Sequence, residues 1–295
     1  MSMTSIKPLL PNPEQSPLLR MVEGRDENNQ PVTIPVVTEK PLTIFLNRQE
    51  IVTAMTLGDY PDYLAVGFLK NQNMLKDDDV IIGIDVDEEL GVVVVRTDRT
   101  TNYEEKLQKK IQTSGCAQGT VFGDMMEQID QITLNKNTML RTSTMLSLIK
   151  AINTMPSLYL SAGAIHGCVL AKENEILAYI EDVGRHNAVD KIAGWMRMNG
   201  ISGDDKLFYT TGRLTSEMVI KCVQMRIPVL MSRSGFTQSG VDMARQTGLT
   251  LIGRARGKRF TALSGLDRII DDHDKTTIED NNDDPLSPQR GMRQP

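Results

Sequence analysis

Apolar residues recur along the first hundred positions of this 295-residue chain with two different periodicities. Short runs in which apolar and polar residues alternate predict half-buried strands, and one longer run with helical spacing predicts an amphipathic helix. The predicted strands cover residues 42–46, 51–54, 80–85 and 91–96, and the predicted helix covers 63–75. These elements predict a small ββαββ domain of the α+β class over residues 33–100.

Beyond residue 139 the pattern changes to strands that alternate with helices. Predicted helices cover 140–152, 187–198, 216–225 and 241–247, and predicted strands cover 169–171, 176–180, 206–210, 228–231 and 249–253. The first two of these strands form a predicted hairpin. This alternation favours a three-layer α/β domain with a largely parallel sheet over residues 140–270.

The remaining segments lack such periodicity. Residues 1–32 are polar and rich in Pro, Asn and Glu, and residues 271–295 carry acidic clusters, so both ends are predicted to be flexible tails. Residues 101–139 are predicted to form a connector. It begins with a charged helix over 103–111 and carries the polar loop Thr-Ser-Gly-Cys-Ala-Gln-Gly at 113–119.

Charge and cysteine usage narrow the class of protein. A formal net charge of −5 argues against a general nucleic-acid binder, which needs a broad basic surface. No segment reads as a signal peptide or membrane span, and the three cysteines are odd in number and far apart, so a reducing cytoplasm is predicted. No C-x-x-C or H-x-x-x-H pair indicates a metal site. Neither the phosphate-loop pattern nor G-x-G-x-x-G occurs, so ATP hydrolysis and Rossmann dinucleotide binding are poorly supported.

Three polar junctions follow predicted strands, at 181–187, 210–216 and 232–237, and each combines a glycine, an arginine and hydroxyl or Asx side chains. Ligands of such sheets bind where strand ends run into helix N-termini, so these junctions suit small oxyanions. Arg213 and Arg233 lie in the second and third junctions. A basic run follows the next predicted strand and consists of Arg254, Ala255, Arg256, Gly257, Lys258 and Arg259.

Cys116 lies between two glycines of the polar loop, where a bare backbone ahead of a helix can hold a reactive thiolate. An incidental structural thiol is the alternative that the residues alone leave open. Cys168 and Cys222 lie in apolar surroundings and are interpreted as buried small hydrophobes.

His186 and Asp182 are candidates for orienting or protonating groups in the first junction. A capping arrangement, with Asn187 as the N-cap and Asp190 at N3, explains part of the same pattern. His166 has apolar flanks and is either a buried hydrogen-bonded histidine or a site residue.

Several segments together resemble the FdhD family, the accessory sulfurtransferases of formate dehydrogenase. They are Ile-Glu-Asp-Val-Gly-Arg-His-Asn-Ala-Val-Asp-Lys at 180–191, Thr-Gly-Arg at 211–213, Ile-Pro-Val-Leu-Met-Ser-Arg-Ser at 227–234 and Gly-Leu-Thr-Leu-Ile-Gly at 248–253. The similarity runs from about residue 39 to residue 263. It implies a cytidine-deaminase-like α/β domain with a smaller N-terminal domain, in a protein that is usually a homodimer.

The resemblance also implies a function. Sulfur from a cysteine desulfurase would be held as a persulfide on Cys116 and passed to the molybdenum of the bis-guanine-dinucleotide molybdopterin cofactor, before that cofactor enters formate dehydrogenase. The basic run at 254–259 would contact the cofactor, with Arg213 and Arg233 as helpers. His186 and Asp182 would orient or protonate the reacting groups.

The chain departs from the common pattern at Gly119, where many members carry a second cysteine. A mechanism that needs both thiols cannot operate here, whereas a single-cysteine relay can, because a persulfide needs one thiolate. The alternative is a cofactor-binding chaperone that moves no sulfur. Zinc-dependent deamination is poorly supported because the chain lacks P-C-x-x-C, and His-Gly-Cys at 166–168 lacks the glutamate of H-x-E.

Overall fold

The first regular element is an antiparallel hairpin of strands β1 (Leu19–Arg25) and β2 (Pro31–Val37). The computed structural model describes residues 7–11, 13, 18–99, 111–113, 116–120, 129 and 131–272. Asp26 holds the hairpin turn, because its carboxylate accepts hydrogen bonds from the backbone N–H groups of Asn28 and Gln30. The prediction of a flexible tail over residues 1–32 is therefore wrong for the hairpin. Most of its side chains are exposed, so the sequence carries no alternating burial pattern there.

The predicted order of two strands, a helix and two strands is confirmed. Strands β3 (Lys40–Leu46), β4 (Gln49–Thr56), β5 (Ile81–Asp87) and β6 (Val92–Thr97) form a sheet in the order β4-β3-β6-β5, and helix α1 (Pro61–Asn71) packs against it. Alternate residues of β3 (Leu42, Ile44 and Leu46) are buried, as the period of two requires. Helix α1 is buried on both sides, so a second layer must cover the face turned away from this sheet.

A short ladder and two helices follow. Strands β7 (Ile111–Thr113) and β8 (Cys116–Thr120) pair so that Thr113 faces Cys116. The predicted helix over 103–111 lies outside the described residues except for Ile111, which is in a strand. Strand β9 (Leu140–Arg141) precedes α2 (Thr142–Thr154), and α3 (Leu158–Ala162) follows it. At the start of the predicted C-terminal tail, Asp272 accepts hydrogen bonds from Ser143 at the first turn of α2, and the residues beyond it lie outside the described part.

Among the described residues, six strands form the central sheet in the order β11-β10-β12-β13-β14-β15. They are β10 (His166–Lys172), β11 (Glu175–Asp182), β12 (Leu207–Thr210), β13 (Val229–Ser232), β14 (Thr250–Arg256) and β15 (Arg259–Ser264). The pairs β12–β13 and β13–β14 are parallel, and the other three pairs are antiparallel. The prediction of a largely parallel sheet is therefore wrong. Tight turns at Glu173 and Gly257, each with φ of 53°, join neighbouring strands, and such short connections produce antiparallel pairs.

Helices cover both faces of this sheet, which gives three layers. Apolar residues of α2 pack on one face. Those of α4 (Arg185–Met198), α5 (Ser216–Gln224) and α6 (Gln238–Thr247) pack on the other. The mixed α/β class predicted for residues 140–270 is confirmed. Within the described ranges, every helix is too short or too polar to cross a membrane.

Helices α1 and α4 join the two sheets through a contact of backbone against backbone. A methyl group added at Gly67 of α1 would lie 1.7 Å from the carbonyl oxygen of Asp190. One added at Gly194 of α4 would lie 1.9 Å from the carbonyl oxygen of Tyr63. Only glycine permits this approach, so the position of the N-terminal unit depends on these two residues.

Residues ahead of the hairpin also contact the central domain. The backbone N–H of Leu9 donates to the carbonyl oxygen of Leu177 at 3.0 Å, and its carbonyl oxygen accepts from the N–H of Tyr179 at 2.7 Å. Leu9 thereby extends the sheet by one parallel bridge beside β11. The prediction of a flexible tail is thus also wrong at Leu9, which is bound to edge strand β11.

Candidate functional site

Polar residues gather at the edge of the central sheet where β11, β12 and β13 end. His166, which opens β10, lies opposite Asp182, which closes β11. Thr210 lies beside Ser232 at the ends of parallel strands β12 and β13. We call this edge the strand-end rim and define it by His166, 182–187, 210–213, 232–234 and 254–256. All three predicted polar junctions therefore meet at one place.

The turn after β12 is fixed by hydrogen bonds from both neighbouring strands. The Thr211 hydroxyl oxygen accepts from the Gly167 N–H at 3.1 Å and lies 3.2 Å from Nδ1 of His166. On the other side, the Ser232 hydroxyl donates to the carbonyl oxygen of Gly212 at 2.6 Å. This turn is therefore held in place before any ligand arrives.

A pocket of about 360 Å³ opens beside this turn. Its lining combines the polar groups of His166 and Thr211 with the aromatic ring of Tyr159 and the apolar side chains of Ile165 and Val183. Ligand pockets commonly pair an apolar lining with a few polar groups that fix orientation. The sequence patterns did not indicate Tyr159, because α3 is only five residues long and its contact with the rim depends on tertiary packing.

Two predicted arginines lie on the rim in different environments. Arg213 is exposed, whereas Arg233 is only 6% exposed, and its guanidinium carbon lies 5.5 Å from the centre of the Tyr159 ring. The Nε–H of Arg256 donates to the carbonyl oxygen of Arg233 at 3.2 Å, which ties β14 to the turn after β13. Cationic side chains from three elements thus converge on the rim.

The basic run does not follow a strand as predicted, because β14 continues through it to Arg256, and β15 begins at Arg259. Ala255 points into the core and is fully buried, so its side chain does not face the rim. Arg254 has a left-handed backbone (φ 54°), and its N–H donates to the carbonyl oxygen of Ser234 at 2.7 Å. A non-glycine residue in this conformation costs energy, and such strain is concentrated at functional sites.

Asp182 anchors the rim to the N-terminal unit. It is fully buried, and its carboxylate accepts hydrogen bonds from Thr56 at 2.5 Å, Asn187 at 2.9 Å and Lys191 at 2.6 Å. Lys191 is also fully buried and donates to Asp59 at 2.6 Å. Burial lowers the pKa of Lys191, but the two carboxylates more than offset this, so the pKa is raised and the ammonium stays charged.

His186 lies in the first turn of α4 and is 4% exposed. Its Nε2 lies 3.2 Å from Glu217 Oε2 without the alignment of a hydrogen bond. Burial, followed by the charges of Lys221 and Arg185, holds the pKa of His186 well below its usual value, so the ring is neutral at pH 7. Helix α4 begins after Gly184, and Asn187 lies inside it, so the predicted N-cap is wrong.

Comparison with known proteins identifies the chain. The sequence profile of the FdhD/NarQ family matches residues 37–270. The chain belongs to the FdhD/NarQ family. The sulfur carrier protein FdhD of Listeria monocytogenes is 30% identical over 243 residues, which cover 81% of this chain and 93% of that protein. The sulfur carrier protein FdhD of Bacillus subtilis is 29% identical over 235 residues, covering 79% of this chain and 90% of that protein.

A solved structure agrees with this assignment. A crystal structure from Desulfotalea psychrophila, described as that of a formate dehydrogenase accessory protein, is 28% identical and superposes with a TM-score of 0.70. The match covers 86% of this chain and all of the other. The FdhD family resemblance inferred from the segments at 180–191, 211–213, 227–234 and 248–253 is therefore confirmed.

The cysteines of this FdhD/NarQ chain have different surroundings. Cys168 and Cys222 are both fully buried, as predicted. Burial raises the pKa of Cys168 to about 12 and that of Cys222 well above its usual value, so both remain thiols at neutral pH. The backbone of Cys116 begins β8 instead of lying in a loop, and its side chain lies outside the described part of the structure.

The two rim histidines, half-buried His166 and buried His186, make a testable contribution to acid stability. Burial is the main cause that lowers the pKa of both His166 and His186. Their contribution is therefore complete above the unfolded-state pKa of about 6.5 and is lost as the pH falls below it, since the unfolded chain then binds more protons. When the pH is lowered from about 7.5 to about 5.5, we expect the free energy of unfolding, measured in urea, to fall less for His186→Gln than for wild type. Equal losses in the two proteins would contradict this account.

Proposed function

We propose that this chain is a sulfur carrier that holds sulfur as a persulfide on Cys116 and passes it to the molybdenum bis-guanine-dinucleotide cofactor of formate dehydrogenase. The names of its FdhD relatives support the sulfur-carrying role. The description of the solved relative supports the link to formate dehydrogenase. A cysteine desulfurase as the donor, a homodimeric assembly and a cytidine-deaminase-like domain belong to the same proposal.

The burial of the other two cysteines carries the choice of Cys116. The thiolate is the attacking form of cysteine, and access of the donor is also required. Cys168 and Cys222 fail both conditions, because they are fully buried and their pKa values are raised. The chain has three cysteines, so Cys116 is left as the sulfur-carrying residue.

The loading step is a thiol exchange without net oxidation. The Cys116 thiolate attacks the outer sulfur of the donor persulfide, the donor's S–S bond breaks, and the donor cysteine leaves as a thiolate. Because Gly119 replaces a second loop cysteine, no neighbouring thiol in 113–119 can resolve the new persulfide into a disulfide. Its outer sulfur therefore stays available for an acceptor.

The strand-end rim suits the cofactor, which is the anionic substrate in this proposal. Arg213, Arg233, Arg254 and Arg256 bring positive charge to the rim. Helix α4 begins there without a side-chain cap, so its N-terminal N–H groups remain suited to phosphate oxygens. We place the diphosphate arms of the cofactor on this edge, with Lys258 and Arg259 in the turn and strand that follow β14.

Persulfide loading tests the proposal directly. Incubation with a cysteine desulfurase and cysteine should add one sulfur atom to the wild-type chain, detected by mass spectrometry of the intact protein and located by peptide mapping. We expect Cys116→Ser to remain unloaded and the control Cys222→Ala to load like wild type. Loading that survives Cys116→Ser would refute the role of Cys116.

The absence of a second loop cysteine favours one alternative, a cofactor chaperone that moves no sulfur. Such a chaperone would keep formate dehydrogenase active when Cys116 is replaced by alanine, and would fail when Arg256 and Lys258 are neutralised. Complementation with these two variants separates the alternatives. Loss of activity in Cys116→Ala supports the sulfur carrier.

A further inference from the structure

Arg185 is a cation whose buried edge has no partner within the described residues. Its Nε and Nη2 atoms are buried, and neither makes a hydrogen bond. These two nitrogens form the edge of a guanidinium that binds a carboxylate or phosphate through two parallel hydrogen bonds. Leaving buried donors unpaired is costly, so an arginine retained in this state indicates a ligand that completes it.

The backbone around Arg185 holds the side chain against the rim. Arg185 is the first residue of α4, and the Gly212 turn leaves room for it: a methyl group at Gly212 would lie 2.9 Å from Arg185 Cδ. The same turn is fixed by the Ser232 hydrogen bond to the Gly212 carbonyl oxygen. The guanidinium is therefore held between two rigid elements.

Asp182 does not neutralise Arg185, and the buried Glu217 carboxylate faces His186. Asp182, the acidic residue nearest in sequence on the rim, already binds Lys191 through Oδ2 and accepts from Gly184 and Asn187 through Oδ1. No carboxylate pairs with Arg185 in the described part of the chain. Burial is the main cause that lowers the pKa of His166, and the charges of Arg185 and Arg213 lower it further, against the opposing effect of Asp182.

His186 lies beside Arg185 in the first turn of α4, with its Nε2 3.2 Å from Glu217 Oε2. His186 is more than nine-tenths buried, and neither of its ring nitrogens makes a hydrogen bond among the described residues. Helix α4, whose first residue is Arg185, also lacks a side-chain cap. The unpaired donors of Arg185 and the uncapped start of α4 together match a tetrahedral oxyanion.

We propose that the Nε–Nη2 edge of Arg185, with the N-terminus of α4, binds a tetrahedral oxyanion, either as free phosphate or as the phosphoryl group of a larger ligand. The site deepens the proposed function, since it would hold a phosphate of the cofactor, but it requires no sulfur transfer. Arg185 is then a binding residue that the sequence-based set of Arg213, Arg233 and the basic run did not include.

This role makes stability and binding respond in opposite directions. Without a ligand, the guanidinium edge is an unpaired buried donor pair, so Arg185→Met should leave the free energy of unfolding unchanged or raise it. The same variant should lose anion binding. A residue with a purely structural role would instead destabilise the protein when removed.

Calorimetric titrations with inorganic phosphate and with a nucleoside diphosphate test the site. We expect Arg185→Gln to weaken binding about 10- to 100-fold, since two charge-assisted hydrogen bonds are lost. Arg185→Lys should recover only part of it, because an ammonium cannot form the two-point contact. Arg20→Gln, at an exposed arginine of β1, is the matched control and should bind like wild type.

The two probes distinguish the sources of the oxyanion. If inorganic phosphate binds about as tightly as the nucleoside diphosphate, the site takes a free anion. If only the nucleoside diphosphate binds, the site takes the phosphoryl group of a larger ligand. Either result supports the proposal if Arg185→Gln weakens the binding. NMR adds an independent readout, because a bound anion should raise the pKa of His166 in wild type but not in Arg185→Gln. Wild-type affinity in Arg185→Gln, or no binding of either probe to wild type, would overturn the proposal. Cys116→Ser should bind both probes normally, so failure of sulfur loading and failure of this site remain distinguishable.

Discussion

Replacing Gly194 with alanine is expected to destabilise the protein by at least about 3 kcal/mol, the upper end of the usual cost of overpacking a core. The added methyl group would lie 1.9 Å from the carbonyl oxygen of Tyr63, and a backbone atom cannot rotate away as a side chain can. Helices α1 and α4 would have to separate, which would disturb the apolar contacts on both sides of α1. Urea unfolding monitored by circular dichroism measures the loss.

A matched glycine replacement controls for the intrinsic effect of alanine. Gly24 lies in β1, where a methyl group would meet only a Val32 methyl carbon at 3.9 Å, an ordinary contact. Gly24→Ala should therefore unfold within about 0.5 kcal/mol of wild type. Gly67→Ala should resemble Gly194→Ala, because its methyl group would lie 1.7 Å from the Asp190 carbonyl oxygen. If Gly194→Ala were as stable as Gly24→Ala, the close crossing of α1 and α4 would be wrong.

Replacing Lys191 with methionine is expected to cost about 3–5 kcal/mol, the range found when one partner of a buried ion pair is removed. Methionine fills similar space, so the cost arises from the Asp182 carboxylate, which is fully buried and loses its only cationic partner among the described residues. Asp59, the other carboxylate bound to Lys191, is partly exposed and can be solvated. Chemical denaturation of the variant measures the effect.

A double-mutant cycle separates the buried charge from the shape of the side chains. Asp182→Asn combined with Lys191→Met removes both charges, so the double variant should be more stable than Lys191→Met alone. A double variant that is less stable, by the sum of the two single losses, would show that the ion pair is not the source of the cost. The cycle also addresses the predicted role of Asp182 as an orienting or protonating group. A carboxylate held by Lys191, Thr56 and Asn187 is placed to anchor the rim, so loss of function in Asp182→Asn should accompany loss of stability.

Local patterns predicted most elements but not how they associate. The buried alternation at Leu42, Ile44 and Leu46 predicts β3, and the helix–strand alternation after residue 139 predicts the layers. The β1–β2 hairpin was not predicted because its side chains are mostly exposed. The continuation of β14 was not predicted because Arg254 and Arg256 flank a single buried residue, Ala255. The basic side chains made the alternation of a strand difficult to recognise.

The position of the rim was also predictable in part. Each polar junction follows a strand, and the general placement of ligand sites in α/β sheets predicts that such junctions meet. The bond between Lys191 and Asp59 joins residues 132 positions apart, so it depends on the crossing of α1 and α4. The unpaired edge of Arg185 also cannot be predicted from the sequence, because it depends on which groups the described part of the fold brings near the guanidinium.

The bridge formed by Leu9 affects how this protein behaves in concentrated solution. Strand β11 is the outermost strand on its side of the central sheet, and an open strand edge offers backbone donors and acceptors to any other chain. Leu9 occupies two of these positions, at Leu177 and Tyr179. A protein shortened to begin at residue 33 would expose these two positions. Self-association through β11 would then lower the concentration at which the protein stays in solution.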